Sequence, residues 1–363
     1  MMTMSTLGRV GLAVAVAAFA LPLASMMAKA ETLDDRIVAA VEAGALEGLH
    51  AVIAIHQGDT LVEAYFPGRD WRWGEDLGVR DHGPETLHDI RSVTKSIVGL
   101  LYGIALEEGL VPGLDAPLIA QFPSYADLAT DPERAAILVR HALTMTMGTE
   151  WDESVPYTSA ANSEVAMEQA DDRYRFVLDR PMVTDPGTQW VYNGGATAVI
   201  GKLIADGSGM SLQDFARSRL FAPLGIEQFD WITGADGVPS AASGLRLTVP
   251  DLTKIGLMIA NGGMHDGQQI VPSAWLDEAF TAHAQTGIGL RYGYFWWLSP
   301  ADGPHWVAGF GNGGQRLTVS TRDDLVVVVL AGNYNAPEHW RLPVRLINAF
   351  IAPEVISRLG GDD

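Results

Sequence analysis

Two β-rich runs near each end of the chain read as hairpins. His50–His56 and Thr60–Phe66 flank Gln57-Gly58-Asp59, and Gln315–Thr321 and Leu325–Leu330 flank Arg322-Asp323-Asp324. The unbroken Val326–Val329 run predicts a central strand buried on both faces. Between the ends the apolar positions follow the helical period instead. They predict helices at about Leu33–Ala45, Ser92–Leu106, Glu133–Leu143, Glu164–Leu178, Gly195–Ala205, Ser211–Leu220 and Pro250–Ala260, with a last one over Pro337–Ile351. A Pro/Gly-rich stretch runs from Pro112 to Pro123. The fold class expected is therefore α/β in the α+β sense. A mostly antiparallel sheet, built from both chain ends (31–90 and 246–363) and flanked by helices, adjoins a largely helical subdomain (91–245). The cleft between the two is the natural place for a site.

The 363 residues are 48% hydrophobic and 19% charged, as befits a folded globular chain with a substantial core. Residues 1–30 read as a cleavable secretory signal. Arg9 precedes an apolar run from Val10 to Ala24, and Ala28-Lys29-Ala30 supplies the small-x-small cleavage pattern. The run is too short to span a bilayer comfortably, so no membrane association is expected after cleavage. An exported protein without cysteine, and hence without disulfides, suits the periplasm or the medium. The formal net charge is −20, and cleavage after Ala30 would remove Arg9 and Lys29 and no acid. So acidic a chain is repelled by phosphate backbones and anionic lipids, which argues against nucleic-acid binding.

The candidate chemistry begins at Ser92-Val93-Thr94-Lys95, at the start of an apolar helical run. Residues at i and i+3 share a helix face, so an amine would lie one turn from a hydroxyl. Serine needs such a neighbour to become a nucleophile. Alone, the pattern is equally that of a capping serine and a solvated lysine. A second element is Tyr192, in the loop Pro186–Gly195 just ahead of a helix. A tyrosine beside an ammonium has its pKa lowered and can relay a proton. The third is Gly309-Phe310-Gly311-Asn312-Gly313-Gly314-Gln315, at the mouth of a strand, where glycines let a substrate approach exposed backbone amides.

In this order and spacing the three elements resemble the class C β-lactamase-related serine hydrolases. That superfamily, with a β-lactamase/transpeptidase-like fold, includes esterases, D-amino-peptidases and 6-aminohexanoate-dimer hydrolases. The resemblance extends through Leu143–Glu153, Val191–Gly195, Ser243–Thr248 with Asp251–Lys254, and Tyr292–Trp297. It implies an acyl-enzyme on Ser92, with Lys95 and Tyr192 as acid and base and the backbone N–H groups of Ser92 and Gln315 as oxyanion hole. It implies neither a metal nor an organic cofactor. It also implies substrate contacts at Asn193, Asn312, Gly313 and Gly314, and at Trp151, Asp152 and Tyr157 on a cleft-bordering loop. Asp152 and Glu153 read equally well as solvated acids. Of the adjacent Trp296 and Trp297, one should be core and the other a wall of the cleft.

Two departures from the penicillin-recognising members stand out. Asparagine follows Tyr192 one place early, leaving Gly194 in the third position, and the third motif opens on uncharged Asn312 where those members carry a cation. Both argue for a small uncharged ester or amide as substrate. Carboxylesterase activity is the first expectation. Hydrolysis of small linear amides, weak β-lactamase activity, or a non-turnover acyl-binding sensor or cell-wall-binding module are the alternatives. No His-Glu-x-x-His pattern or cysteine ligand suggests a metal site. His82 and His88, bracketing a proline-containing loop, are expected at the surface.

Overall fold

The computed structural model describes residues 32–303 and 305–359, so the expected signal segment, 1–30, lies outside the described residues. The first hairpin forms as β1 (Leu49–His56) and β2 (Asp59–Tyr65). Later in the chain come β3 (Ala284–Gln285), β4 (Arg291–Tyr292), β5 (Trp297–Leu298), β6 (Val307–Gly311), β7 (Gln315–Ser320) and β8 (Leu325–Ala331). All eight join one antiparallel sheet in the order β3-β4-β5-β6-β7-β8-β1-β2. The two chain ends meet at the β8–β1 pair, with Val329 opposite Val52 and Val327 opposite Ala54.

The expected two-sided burial of β8 follows from the period of two along a strand. Val326, Val328 and Leu330 enter one core and Val327, Val329 and Ala331 the other. Each fully buried valine contributes roughly 1.5–3 kcal/mol, so the strand anchors both layers. The helices that matter for the site are α1 (Leu33–Glu42), α2 (Val93–Glu107), α3 (Ser163–Glu168), α4 (Gly194–Ser208) and α5 (Val249–Ala260). Helix α1 and the helical stretch Arg341–Leu359 cover the outer face through Leu33, Ile37, Leu342 and Leu346. Helix α2 is buried from Val93 to Ala105, as an apolar run without a polar stripe requires. Helix α5 lies on β7 and β8 so closely that a Cβ on Gly256 would stand 2.5 Å from a Val326 methyl. Among the described residues no helix is long and apolar enough to cross a membrane.

Several predicted helices are interrupted for identifiable reasons. The one expected over 133–143 divides into Pro132–Ala135 and Val139–Leu143. Between them the backbone turns aside to bond the 114–118 segment, through Leu118 N–H to the Ile137 carbonyl and Val139 N–H to the Ala116 carbonyl. The helix expected over 164–178 divides into α3 and Arg173–Leu178, because Asp172 caps a new helix and Arg173 is drawn inward to Glu168 and Asp236. The last helix starts at Arg341, later than expected, and continues through a wider turn at Ile347–Ile351 to Leu359.

His82 and His88 are not surface residues. His88 and His50 are each 1% exposed and share a hydrogen bond of 2.9 Å between Nδ1 of His50 and Nε2 of His88. The half-buried His82 ring stacks on His50 with centroids 4.0 Å apart, and the three donor nitrogens lie within 4.8 Å of one another. Burial is the main cause that lowers the pKa of all three, His50 to about 3. His88 Nε2 also lies 3.9 Å from Asp70, itself fully buried, while Pro84 between the two histidines stays exposed.

Candidate active site

Ser92 is the residue before α2, and the backbone that delivers it is strained. Arg91 has φ 50°, a left-handed conformation costly for a residue with a β-carbon. Its side chain holds the kink in place. The guanidinium stacks on Tyr334 (4.6 Å) and Trp73 (5.2 Å) and pairs with Asp89 at 3.0 Å. One turn into the helix, Lys95 is 1% exposed, and its Nζ donates to three acceptors. These are Ser92 Oγ at 3.1 Å, Glu164 Oε2 at 3.1 Å and the Ala242 carbonyl at 3.0 Å. Glu164, from α3, is equally buried and also accepts from the Ser243 hydroxyl.

The Tyr192 loop is docked by Val191 N–H on the Met145 carbonyl, and Asn193 caps α4 by accepting from Ala196 N–H. These bonds set the Tyr192 ring 4.8 Å from Lys95 Nζ. The ring also stacks on Trp297 (5.8 Å), which in turn stacks on Phe310. Trp296 is fully buried, so the adjacent pair divides between core and cleft wall.

Charge is arranged tightly here. Burial alone would depress the Lys95 pKa, but Glu164, then Tyr192 and Glu153, outweigh it and hold the amine as an ammonium. Burial raises the Tyr192 pKa, and the pull of Lys95 and the hydrogen bond with Ser92 only partly offset it. Glu153 accepts from Trp151 Nε1 (2.6 Å), Gly194 N–H (2.6 Å) and the Tyr157 hydroxyl (2.7 Å). Burial, then the Glu164 charge, carries its pKa well above the usual carboxylate range.

Gln315 opens β7 after Gly313 and Gly314, at φ 92° and 97°, which only glycine adopts freely. Its side-chain amide is clamped to β8, donating to the Ala331 carbonyl (2.5 Å) and accepting from Ala331 N–H (3.0 Å). Two cavities meet at Ser92. One, of about 380 Å³, is lined by Trp73, Arg91, Glu168, Ser243 and Asn335; the other, of about 430 Å³, by Leu290, Trp297, Trp306, Phe310 and Arg316. Tyr157 and Asn312 line both, while Tyr192, Gly314 and Gln315 line the second.

The expected residues are not all placed alike. Ser92, Lys95 and Tyr192 come together, and Gln315, Asn312, Gly314 and Tyr157 border the cleft beside them. Gly313 forms the turn against Tyr334. Asn193 serves as a helix cap and Trp151 packs beneath Gly195. Asp152 is exposed and accepts from Ser154. Glu153, its neighbour, is drawn inward rather than solvated. Glu164 was not singled out in the sequence, where an acid in a first helical turn looks like an ordinary partner of the helix dipole. Arg316, behind the glycine turn, was not singled out either.

Known proteins resemble this chain in sequence and in fold. The chain is 25% identical over 285 residues to a 6-aminohexanoate-dimer hydrolase of Paenarthrobacter ureafaciens, a match covering 71% of this chain and 69% of that one. It is 24% identical over 254 residues to a lovastatin esterase of Penicillium rubens, covering 64% and 60%. Among solved structures, EstCE1, described as a hydrolase with promiscuous acyltransferase activity, superposes with a TM-score of 0.70 at 16% identity. That superposition covers 88% of this chain and 98% of the other. Residues 33–342 match the Beta-lactamase family over most of the chain, and the protein belongs to that family of hydrolases.

Proposed function

We propose that the protein is an exported serine hydrolase that cleaves ester or amide bonds through an acyl-enzyme on Ser92, with carboxylesterase activity foremost. The observation that carries this reading is the buried Lys95 ammonium, 3.1 Å from Ser92 Oγ and fixed from behind by Glu164. An ammonium donating to Ser92 is not the group that accepts the serine proton. That role falls to Tyr192 in its minor phenolate form, which Lys95 stabilises electrostatically against the burial that raises its pKa.

The Ser92 proton passes to the Tyr192 oxygen as Oγ bonds to the substrate carbonyl carbon. The carbonyl π pair moves onto oxygen, where the N–H groups of Ser92 and Gln315 receive it. Collapse of the tetrahedral intermediate breaks the C–O or C–N bond, and Tyr192 returns the proton to the departing alcohol or amine. Water then gives a proton to Tyr192, attacks the acyl carbon and releases the carboxylic acid, and Ser92 regains its proton. Export to the periplasm or the medium follows from residues 1–30 as a signal. No metal or organic cofactor enters any step.

The relatives named for an amide and an ester support both bond types. The test is hydrolysis of p-nitrophenyl butyrate by the mature protein and by Ser92→Ala, with intact mass followed during turnover. Hydrolysis abolished in the variant, with a transient acyl adduct on Ser92, is expected. Equal activity in both proteins would overturn the nucleophile, and a lasting adduct without turnover would favour an acyl-binding sensor.

A further inference from the structure

Four arginines of the described residues are buried: Arg134, Arg173, Arg246 and Arg316. The first three each have a carboxylate within ion-pair distance, namely Asp179 at 3.2 Å, Asp236 at 2.6 Å and Asp89 at 2.7 Å. Arg316 has none among the described residues. It is 7% exposed, its Nε has no hydrogen-bond partner, and its guanidinium carbon lies 3.6 Å from the centre of the Phe310 ring. Burial alone depresses its pKa, with no acid to oppose the shift, yet a guanidinium stays charged in proteins. The titratable neighbour that senses it is His339, whose pKa burial and Arg316 both push down, so it is neutral at pH 7 and supplies no counter-charge.

A buried charge without a partner is costly, so a ligand that supplied the partner would be bound favourably. Position says which ligand. Arg316 follows Gln315 on β7 and faces Phe310 across the β6–β7 ladder. It lines the same cavity as Ser92 and Tyr192, whose other walls are Trp297, Trp306, Phe310 and Leu290. The planar fork of an arginine matches a carboxylate in a bidentate manner.

We propose that Arg316 anchors a carboxylate of the substrate, so the bond to be cleaved belongs to a molecule with an apolar body and an anionic end lying in the aromatic cavity. The cation missing at Asn312 is thereby supplied four residues later, and the uncharged substrate expected from the sequence gives way to an anionic one. The placement beside the reacting bond rests on Ser92 as nucleophile; the anion site itself does not.

The test therefore has a binding arm and a kinetic arm. In the first, calorimetry measures binding of 4-phenylbutyrate and of its neutral amide to the full protein, Arg316→Met and Arg316→Lys. The wild type should prefer the acid by about 10- to 100-fold, the range of one hydrogen-bonded charge pair. Arg316→Met should lose that preference and Arg316→Lys should keep part of it. In the second arm the same acid should inhibit p-nitrophenyl butyrate hydrolysis competitively, and the amide far more weakly. Equal binding of acid and amide by the wild type, which needs no variant to fold, overturns the proposal. Undetectable binding of the acid, or an acid preference intact in Arg316→Met, overturns it too. An Arg316-dependent preference for the acid in a protein that hydrolyses no ester would support the anion site and count against the carboxylesterase reading alone.

Discussion

Replacing Glu164 with glutamine keeps the shape of the site and removes one charge from the Lys95–Glu164 pair. The pair is 3.1 Å apart with both side chains at most 3% exposed. At an effective dielectric of about 20, unit charges at this distance attract by about 5 kcal/mol. Breaking a buried pair from one side typically costs about 3–5 kcal/mol. Glu164→Gln should thus lose about 3–5 kcal/mol at pH 7, equivalent to roughly 4–7 °C in Tm for a chain of this size. The loss should shrink between pH 7 and pH 10, through the variant's side of the linkage. In the wild type the Lys95 pKa is raised, so its stabilisation is full below the unfolded value of 10.5 and is unchanged over this range. In the variant a buried lysine without its carboxylate has a depressed pKa, so its penalty is relieved as pH rises through that value. Urea unfolding at pH 7 and pH 10, for both proteins, measures the difference. A variant within 1 kcal/mol of wild type at pH 7, or a deficit that grows with pH, would refute the reading of Lys95 as a held ammonium.

Tyr192→Phe should lower kcat by about 10²–10⁴, the usual contribution of a positioned acid–base group, and leave KM within a few-fold; a kcat within tenfold of wild type would exclude Tyr192 as proton acceptor. Because burial raises the Tyr192 pKa from its ordinary 10.0, kcat/KM should keep climbing with pH through the alkaline range, and a profile level above pH 8 would count against the phenolate. The His50 pKa of about 3 in the folded state against 6.5 unfolded gives stability that is complete above pH 6.5 and lost on acidification towards 3. At pH 5 the His50 share is about 2 kcal/mol, so His50→Gln should show that much less acid dependence between pH 7.5 and pH 5 in urea unfolding. Gly256→Ala places a methyl group 2.5 Å from Val326 and should cost about 1–3 kcal/mol, with an unchanged denaturation midpoint as the contrary result.

What could be read ahead of the structure was whatever depends on short-range pattern. The β1–β2 and β7–β8 hairpins lie within a residue or two of their expected bounds, because loop residues and apolar runs are local signals. Ser92 and Lys95 were legible for the same reason, being one helical turn apart. Helix continuity over 133–143 was not, since the 114–118 backbone competes for the hydrogen bonds of residues 137–140. Nor were the partners of the Lys95 amine. Glu164 is 69 residues and Ala242 147 residues from Lys95, and no periodicity connects positions so distant. His88 was misjudged because the buried Asp70 and His50 that draw it inward come from other segments. Glu153 and Asp152 are adjacent acids with opposite fates, decided by the Trp151, Tyr157 and Gly194 donors that surround only one of them.

The two cavities that meet at Ser92 have unlike walls, one rich in charged and amide side chains, the other aromatic with a lone cation. A molecule that enters this cleft head first is therefore a different ligand from the same molecule entering tail first. With Ser92 as the proposed nucleophile at the boundary, the half bearing the carbonyl is always retained as the acyl group, and the orientation a substrate adopts decides which cavity holds it. On that reading substituents far from the reacting carbonyl acquire control over which bond is cut, and a substrate offering two similar bonds should be cleaved at the one whose flanks match the order of the walls.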